Sequence, residues 1–338
     1  MNELRPAEPD QAQAERATLP FCELHVHLEG TLEPDTIFDL AERKGMTLPY
    51  ANLAELSAVY NFSDLGSFLD LYYDNLKVLE SQDDFEQLAF RYLTRAHQAG
   101  VAHAEIFVDP QAHLLRGVPV TAVLSGVTRG ITAATAAFGI SASIIVCVLR
   151  DQPVASAAAM LDDVLSSGFP VLGIGLDSAE VGYPPSLFRS VFETARNAGL
   201  RAVAHAGEEG PPEYIWQALD DLGAERIDHG VRCLEDDALV ERLVTDRIPL
   251  TVCPLSNVRL RVADTLADVP LRSMLDLGLI VTLNSDDPAY FGGYFDDTLA
   301  ACIQTFDLSA TQVGVLARNS VEAAFLTEAR RSELLQRL

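Results

Sequence analysis

Eight short apolar runs, separated by longer amphipathic or irregular segments, most strongly limit what this 338-residue chain can fold into. The runs are continuous rather than alternating, which is typical of strands in a parallel sheet covered on both faces. Strand and helix alternating eight times favours an α/β protein built as a (β/α)8 TIM barrel over a doubly wound sheet. The predicted strands are residues 21–27, 102–108, 143–148, 171–176, 201–205, 226–229, 250–253 and 280–284.

Amphipathic segments occupy most of the intervals between these runs, and several stop at a glycine just before the next strand, as helices commonly do. The predicted helices are residues 34–44, 84–99, 186–198, 213–222, 237–245 and 271–277. A helical insertion at about 46–99 follows strand 1, and extra C-terminal helices cover about 297–338. We therefore predict a single catalytic barrel domain over residues 18–338, preceded by a disordered or irregular tail, residues 1–17.

The charge balance limits the partners. Lys and Arg number 24 against 49 Asp and Glu, which gives a net charge of −25. Such a surface repels phosphate backbones and anionic lipids, so we expect neither nucleic acid nor a membrane as a partner. A small, neutral substrate is compatible with it.

Cysteine usage and the one long uncharged segment bear on location. The five cysteines are scattered, with no C-x-x-C pair, and predict reduced, buried thiols in a cytoplasmic protein. Residues 130–149 are uncharged and long enough to span a membrane. Gly139 divides them into an Ala/Thr-rich half and an apolar half, which favours a helix, a turn and a buried strand instead.

Polar residues follow the predicted strands where a barrel would place an active site. His25 and His27 end strand 1, His205 ends strand 5, and Asp286 follows strand 8. Strand ends converge on one face of a barrel, and residues i and i+2 of a strand point to the same side. Three imidazoles and a carboxylate form the ligand set of a catalytic zinc ion. We therefore predict one Zn²⁺ per chain at these four residues.

Five ordered segments resemble the adenosine/adenine deaminase family, over about residues 20–325. They are ELHVHLEG (23–30), HAGE (205–208), RIDHG (226–230), CPLSN (253–257) and LNSDDP (283–288). The resemblance implies a mononuclear zinc (β/α)8 barrel that deaminates a purine. It assigns Glu208 as the proton donor to the ring nitrogen beside the reacting carbon, His229 as the residue that orients and helps deprotonate the attacking water, and Asp287 as a hydrogen-bond partner of the base, at N7.

Two departures bear on the substrate. Adenosine-type members of the family usually carry Asp where this chain has Glu29, and Gly where it has Ser178. The longer Glu29 side chain would extend into space that a ribose needs, and Ser178 can still present its backbone N–H to the base. With segments 107–111, 208–216 and 256–260 resembling the adenine deaminase branch, we predict conversion of adenine to hypoxanthine and ammonia, as in purine salvage. Adenosine or another N-substituted adenine is the alternative.

Two further readings stay open. A binuclear amidohydrolase or lactonase also begins with H-x-H, but its usual bridging lysine is missing, since Lys44 and Lys77 both lie in helical segments. A purine-binding barrel without activity is the other alternative. Within the insertion, Phe62 or Leu65 is expected near the substrate. The sequence does not determine the oligomeric state.

Overall fold

The computed structural model describes residues 19–338, and it confirms the predicted (β/α)8 barrel. Its eight parallel strands pair in sequence order around the barrel. They are β1 Phe21–His27, β2 Val101–Val108, β3 Ser141–Leu149, β4 Gly173–Asp177, β5 Arg201–Ala206, β6 Arg226–His229, β7 Pro249–Val252 and β8 Ile280–Leu283. Each overlaps a predicted strand. The predicted tail, residues 1–17, lies outside the described residues.

The barrel closes between its first strand and the residues after its last. A parallel bridge joins Val26 to Asp286. The His27 N–H donates to the Asp286 carbonyl at 3.0 Å, and the Asp286 N–H donates to the His25 carbonyl at 3.2 Å. The closure therefore places Asp286 beside both histidines of the H-x-H pair.

Helices surround the strands and extend past them. After β1 come α1 Pro34–Lys44 and then, within the insertion, α2 Leu53–Ala58, α3 Leu65–Asn75 and α4 Gln82–Gln98. Between β2 and β8 lie α5 Pro110–Leu114, α6 Val120–Phe138, α7 Val154–Ser167, α8 Arg189–Asn197, α9 Pro212–Gln217, α10 Asp237–Thr245, α11 Pro254–Arg259 and α12 Leu271–Asp276. The chain ends with α13 Pro288–Phe291, α14 Phe295–Phe306, α15 Ala310–Ala323 and α16 Glu328–Leu335.

The uncharged segment 130–149 folds as the Gly139 division predicts. Helix α6 ends at Gly139, whose φ of 74° is a left-handed conformation that glycine adopts without strain, and β3 follows. Among residues 19–338, no helix combines the length and apolar character that crossing a membrane requires. The five cysteines are all buried and free, as predicted.

The two additions outside the repeat cover different parts of the barrel near β1 and β8. Helix α3 packs against α13 through aromatic rings, with Phe68 and Phe291 4.7 Å apart between centroids. This contact holds α3 over the end of the barrel where β1 and β8 finish. Helix α15 covers the outside of the closure, where the Ser320 hydroxyl accepts a hydrogen bond from the Cys22 N–H at 3.0 Å.

Candidate active site

The four predicted metal ligands meet at the C-terminal ends of the strands. His25 Nε2 lies 3.1 Å from Asp286 Oδ1, and His27 Nε2 lies 3.5 Å from the same oxygen. His27 Nε2 and His205 Nε2 are 3.1 Å apart. Strands β1 and β5 supply the imidazoles, and the barrel closure supplies the carboxylate.

These separations fit a metal ion. Ligand atoms about 2.0–2.1 Å from a tetrahedral zinc lie about 3.3 Å from one another, close to the observed spacing. His25 Nε2 is buried with no hydrogen-bond partner among the described residues. Burial lowers the pKa of His27 to about 4 and that of His205 well below its usual range, so both imidazoles are held in the neutral form that binds metals. A cation would satisfy all of these atoms at once.

His229 lies within the same group of atoms. One ligand atom each of His25, His205, His229 and Asp286 can be chosen so that all lie within 4.8 Å of one another. Burial, followed by the nearby His25, lowers the pKa of His229 to about 3 and keeps its imidazole neutral. Its Nε2 also lies 3.5 Å from Glu208 Oε2. His229 therefore lies between the metal cluster and the predicted acid.

A buried relay orients the first histidine. His25 Nδ1 lies 2.9 Å from the Thr251 hydroxyl, which donates to Asp228 Oδ1 at 2.8 Å. Because the Thr251 hydroxyl donates its proton to Asp228, its oxygen accepts a hydrogen bond from the Nδ1–H of His25. His25 Nε2 then carries no proton and is free to bind a metal. The second Asp228 oxygen lies 3.6 Å from His205 Nδ1. Sequence reasoning missed Thr251 and Asp228, although both lie in strands beside predicted site residues.

Glu208 is held by another buried carboxylate. Glu180 accepts hydrogen bonds from the backbone N–H groups of residues 207–210, at 2.7–3.1 Å. These residues form the loop after β5, and the third residue after His205 is Glu208. Burial, then the negative charges of Asp286 and Glu180, raise the pKa of Glu208 well above its usual range. Its Oε1 has no hydrogen-bond partner among the described residues, so a protonated Glu208 carboxyl can reach a ligand.

Asp287 faces the same cavity, and Gly30 makes room for it. A Cβ placed on Gly30 would lie 1.9 Å from Asp287 Oδ1, so a larger residue at position 30 would displace this carboxyl. Burial and the neighbouring Asp286 raise the pKa of Asp287 well above its usual range. Asp287 can therefore present a carboxyl proton to a ligand.

Three predicted site residues have left-handed backbones that residues other than glycine rarely adopt: Ser178 at φ 69°, His229 at φ 62° and Asp286 at φ 65°. Such conformations persist where the surrounding structure enforces them, which is common at functional sites. At Ser178 the conformation explains why a glycine can occupy this position in adenosine-type proteins.

Glu29 is the one predicted site residue that neither joins the cluster of predicted metal ligands nor lines the cavity. Its carboxylate is fully buried and lies 2.8 Å from His113 Nε2. It also accepts the Asp109 N–H at 3.1 Å. The extra methylene relative to Asp therefore reaches His113 instead of the space beside the other site residues.

The cavity holds about 390 Å³ of empty space when its open mouth is counted. Helix α3 supplies one wall, including Leu65, whereas Phe62 does not line it and packs on Phe68 instead. Two buried acids that sequence reasoning left without a role, Asp109 and Asp177, also line it. The signal for them was available, because Asp109 directly follows a strand and Asp177 ends one.

The sequence of this chain is similar to a known family pattern and to individual known proteins. Residues 20–338 match the sequence pattern described as adenosine deaminase. A protein of Streptomyces coelicolor named adenine deaminase is 56% identical over 310 residues, which cover 92% of this chain and 91% of that protein.

Two solved structures are also similar. The crystal structure of adenine deaminase from Arthrobacter aurescens shares 52% identity and superposes with a TM-score of 0.93, covering 94% of this chain and 98% of that one. An amidohydrolase of Burkholderia ambifaria with bound zinc shares 29% identity with a TM-score of 0.89, covering 98% of this chain and 92% of that one.

Proposed function

This chain belongs to the adenosine deaminase family, and we propose that within it the protein hydrolyses adenine to hypoxanthine and ammonia. One observation carries the proposal. Three imidazoles and a carboxylate gather at the barrel mouth, with the buried Glu208 carboxyl beside them. The names of relatives that share about half of their residues with this chain support adenine as the substrate.

We propose that His25, His27, His205 and Asp286 hold one Zn²⁺ ion. The spacing of their ligand atoms and the unpartnered His25 Nε2 support this assignment. When bound, zinc makes a water molecule acidic enough to act as a nucleophile near neutral pH.

The proposed roles of the remaining residues follow from what adenine must undergo. Addition of hydroxide to C6 disrupts the aromatic ring, so N1 must gain a proton, and the Glu208 carboxyl supplies it. The neutral His229 imidazole orients the water and takes the proton that the water loses. That proton reaches the departing amino group, and the proton of the new C6 hydroxyl returns to Glu208 as the carbonyl forms, so water and adenine give hypoxanthine and ammonia.

Substrate positioning uses groups on the cavity wall. The Asp287 carboxyl donates to N7, and Ser178 presents its backbone N–H to the base. Helix α3 covers the mouth and excludes bulk water from the reacting carbon. In this arrangement Glu29 does not contact the base. Its carboxylate instead holds the His113 side chain and the backbone N–H of Asp109.

The five free, buried cysteines support a further proposal, a cytoplasmic location. The charge of −25 supports another, the absence of nucleic-acid and membrane partners. Neither affects the chemistry of the site.

Purified zinc-loaded protein tests the proposed reaction. We expect ammonia release from adenine with a kcat/KM well above that for adenosine, and a metal content of one zinc per chain. A preference for adenosine of tenfold or more, about 1.4 kcal/mol in transition-state binding, would overturn adenine as the substrate. Two zinc ions per chain would favour a binuclear hydrolase, and zinc binding without turnover of any aminopurine would favour a non-catalytic purine-binding barrel.

A further inference from the structure

Asp109 and Asp177, here called the acid pair, are buried carboxyls that the proposed reaction does not use. Each is only 2% exposed, and both line the cavity that contains Glu208 and Asp287. One oxygen of each, together with a nitrogen of His27, lies within 4.8 Å of the others. The acid pair therefore belongs to the same site, although the proposed reaction does not require it.

Each member of the acid pair has an open oxygen. Asp109 Oδ1 and Asp177 Oδ1 are buried and have no hydrogen-bond partner among residues 19–338. Asp109 also occupies the position that caps helix α5, yet its side chain makes no capping hydrogen bond. Buried acceptors are normally satisfied, so two open ones on side chains that line a cavity indicate a ligand that donates hydrogen bonds.

The acid pair lies at a distinct end of the cavity. The His27 ring turns Nε2 toward the metal ligands and Nδ1 toward Asp177 Oδ2, at 3.6 Å. The acid pair is therefore on the side of this ring opposite the proposed zinc. Next to it, the Tyr73 hydroxyl donates to the Ser178 hydroxyl at 3.1 Å, which ties helix α3 to the loop after β4.

We propose that the acid pair accepts the N9–H of free adenine and thereby makes the enzyme specific for the unsubstituted base. The inference rests on the proposed function. In adenine, N1 and N7 flank the carbon that reacts, whereas N3 and N9 form the opposite edge. With Glu208 at N1 and Asp287 at N7, the acid pair is the cavity group left for the N9 position.

The selection follows from hydrogen-bond chemistry. Free adenine carries a proton on N9 and can donate it to an open carboxyl oxygen. A nucleoside carries a sugar carbon there, which donates nothing and leaves the buried oxygens unpaired. A site built to bind a substrate N–H rejects analogues that lack it by factors of about 10⁴–10⁵ in favourable cases. The hydrogen bond between Tyr73 and Ser178 further closes the space that a sugar would need.

The test compares adenine with 9-methyladenine, which lacks the N9 proton but adds only one carbon. We expect wild-type kcat/KM for adenine to exceed that for 9-methyladenine about 10³-fold. Asp109→Ala is expected to reduce this ratio about tenfold or more, chiefly by slowing adenine turnover. Asp109→Asn keeps an oxygen that accepts a hydrogen bond, so it should retain most of the preference. Asp151→Asn is the matched control, because Asp151 is a nearby acid that does not line the cavity.

Binding supplies a readout that does not depend on turnover. Calorimetry should show that Asp109→Ala weakens hypoxanthine binding while leaving 9-methylhypoxanthine binding unchanged or stronger, with one zinc per chain throughout. If Asp109→Ala does not fold, Asp177→Ala is measured in the same way.

Several outcomes would overturn the inference. One is an equal loss of kcat/KM for adenine and 9-methyladenine in Asp109→Ala, which would indicate a structural role. Another is an unchanged ratio of kcat/KM for adenine to that for 9-methyladenine. A third is that wild-type protein holds a second zinc ion, which Asp109→Ala removes. If wild-type protein does not deaminate adenine at all, the proposed function itself fails. Adenine turnover with an unchanged ratio would remove only the inference about the acid pair.

Discussion

Replacing Glu180 with Gln should both destabilise the protein and slow its reaction. The Glu180 side chain is 1% exposed, and its carboxylate accepts four backbone N–H groups from residues 207–210. Oε1 accepts one of them and Oε2 accepts three. Because this loop carries Glu208, the substitution affects the acid that we place beside N1 of the purine.

The magnitude follows from the count of hydrogen bonds. A hydrogen bond to a charged group contributes about 1.5–3 kcal/mol and a neutral one about 0.5–1.5, so three retained bonds lose roughly 1 kcal/mol each. The fourth N–H would face the new amide NH₂ and stay unpaired, which costs about 1–3 kcal/mol more. Together these terms reach roughly 4–6 kcal/mol, and partial relaxation of the loop favours the lower figure. A shift of the Glu208 carboxyl by about 1 Å would reduce kcat by up to about 10²-fold.

Urea unfolding and steady-state kinetics measure these two effects separately. Glu213→Gln is the matched control, since it makes the same chemical change on an exposed side chain of α9. We expect Glu180→Gln to lower the free energy of unfolding by about 4 kcal/mol and the control to change it by less than about 0.5. A loss under about 1 kcal/mol with kcat/KM within about twofold of wild type would refute the reasoning.

Three other predictions follow from the site. Glu208→Gln should reduce kcat about 10²–10⁴-fold with zinc content unchanged. Wild-type kcat/KM should fall as the pH rises through the raised pKa of Glu208, because the acid form exists below that pKa. Thr251→Val should weaken zinc binding about 10–100-fold in a chelator competition, whereas Thr251→Ser should not, since it keeps the hydroxyl that orients His25. Removing the metal should abolish ammonia release and lower the melting temperature, and added zinc should restore both. Activity that survives complete zinc removal would contradict the proposed ligand set.

Local patterns in the sequence were sufficient to predict the elements. Apolar runs bounded by glycines and helical segments predicted all eight strands, including β3 after Gly139. The two-residue period of a strand also predicted that His25 and His27 point to the same side. These inferences succeed because side-chain direction within one element depends on local backbone geometry alone.

Contacts between distant segments were harder to predict. Glu180 and the loop that it holds are 27–30 residues apart, and His113 meets Glu29 across 84 residues. A sequence shows that Glu29 is longer than Asp but not which way the extra methylene turns. His113 determines that direction, because it gives the buried carboxylate a partner outside the cavity.

The sequence by itself determined the eight strands, the residue types at their ends and hence the proposed metal ligands. Only the tertiary structure decided how those ends face one another. Barrel closure places Asp286 beside His25 and His27, and packing buries Glu180 under the Glu208 loop and leaves open oxygens on Asp109 and Asp177. The physical reason is that strand periodicity is a local property, whereas burial and hydrogen-bond partners depend on which distant segments come together when the barrel closes.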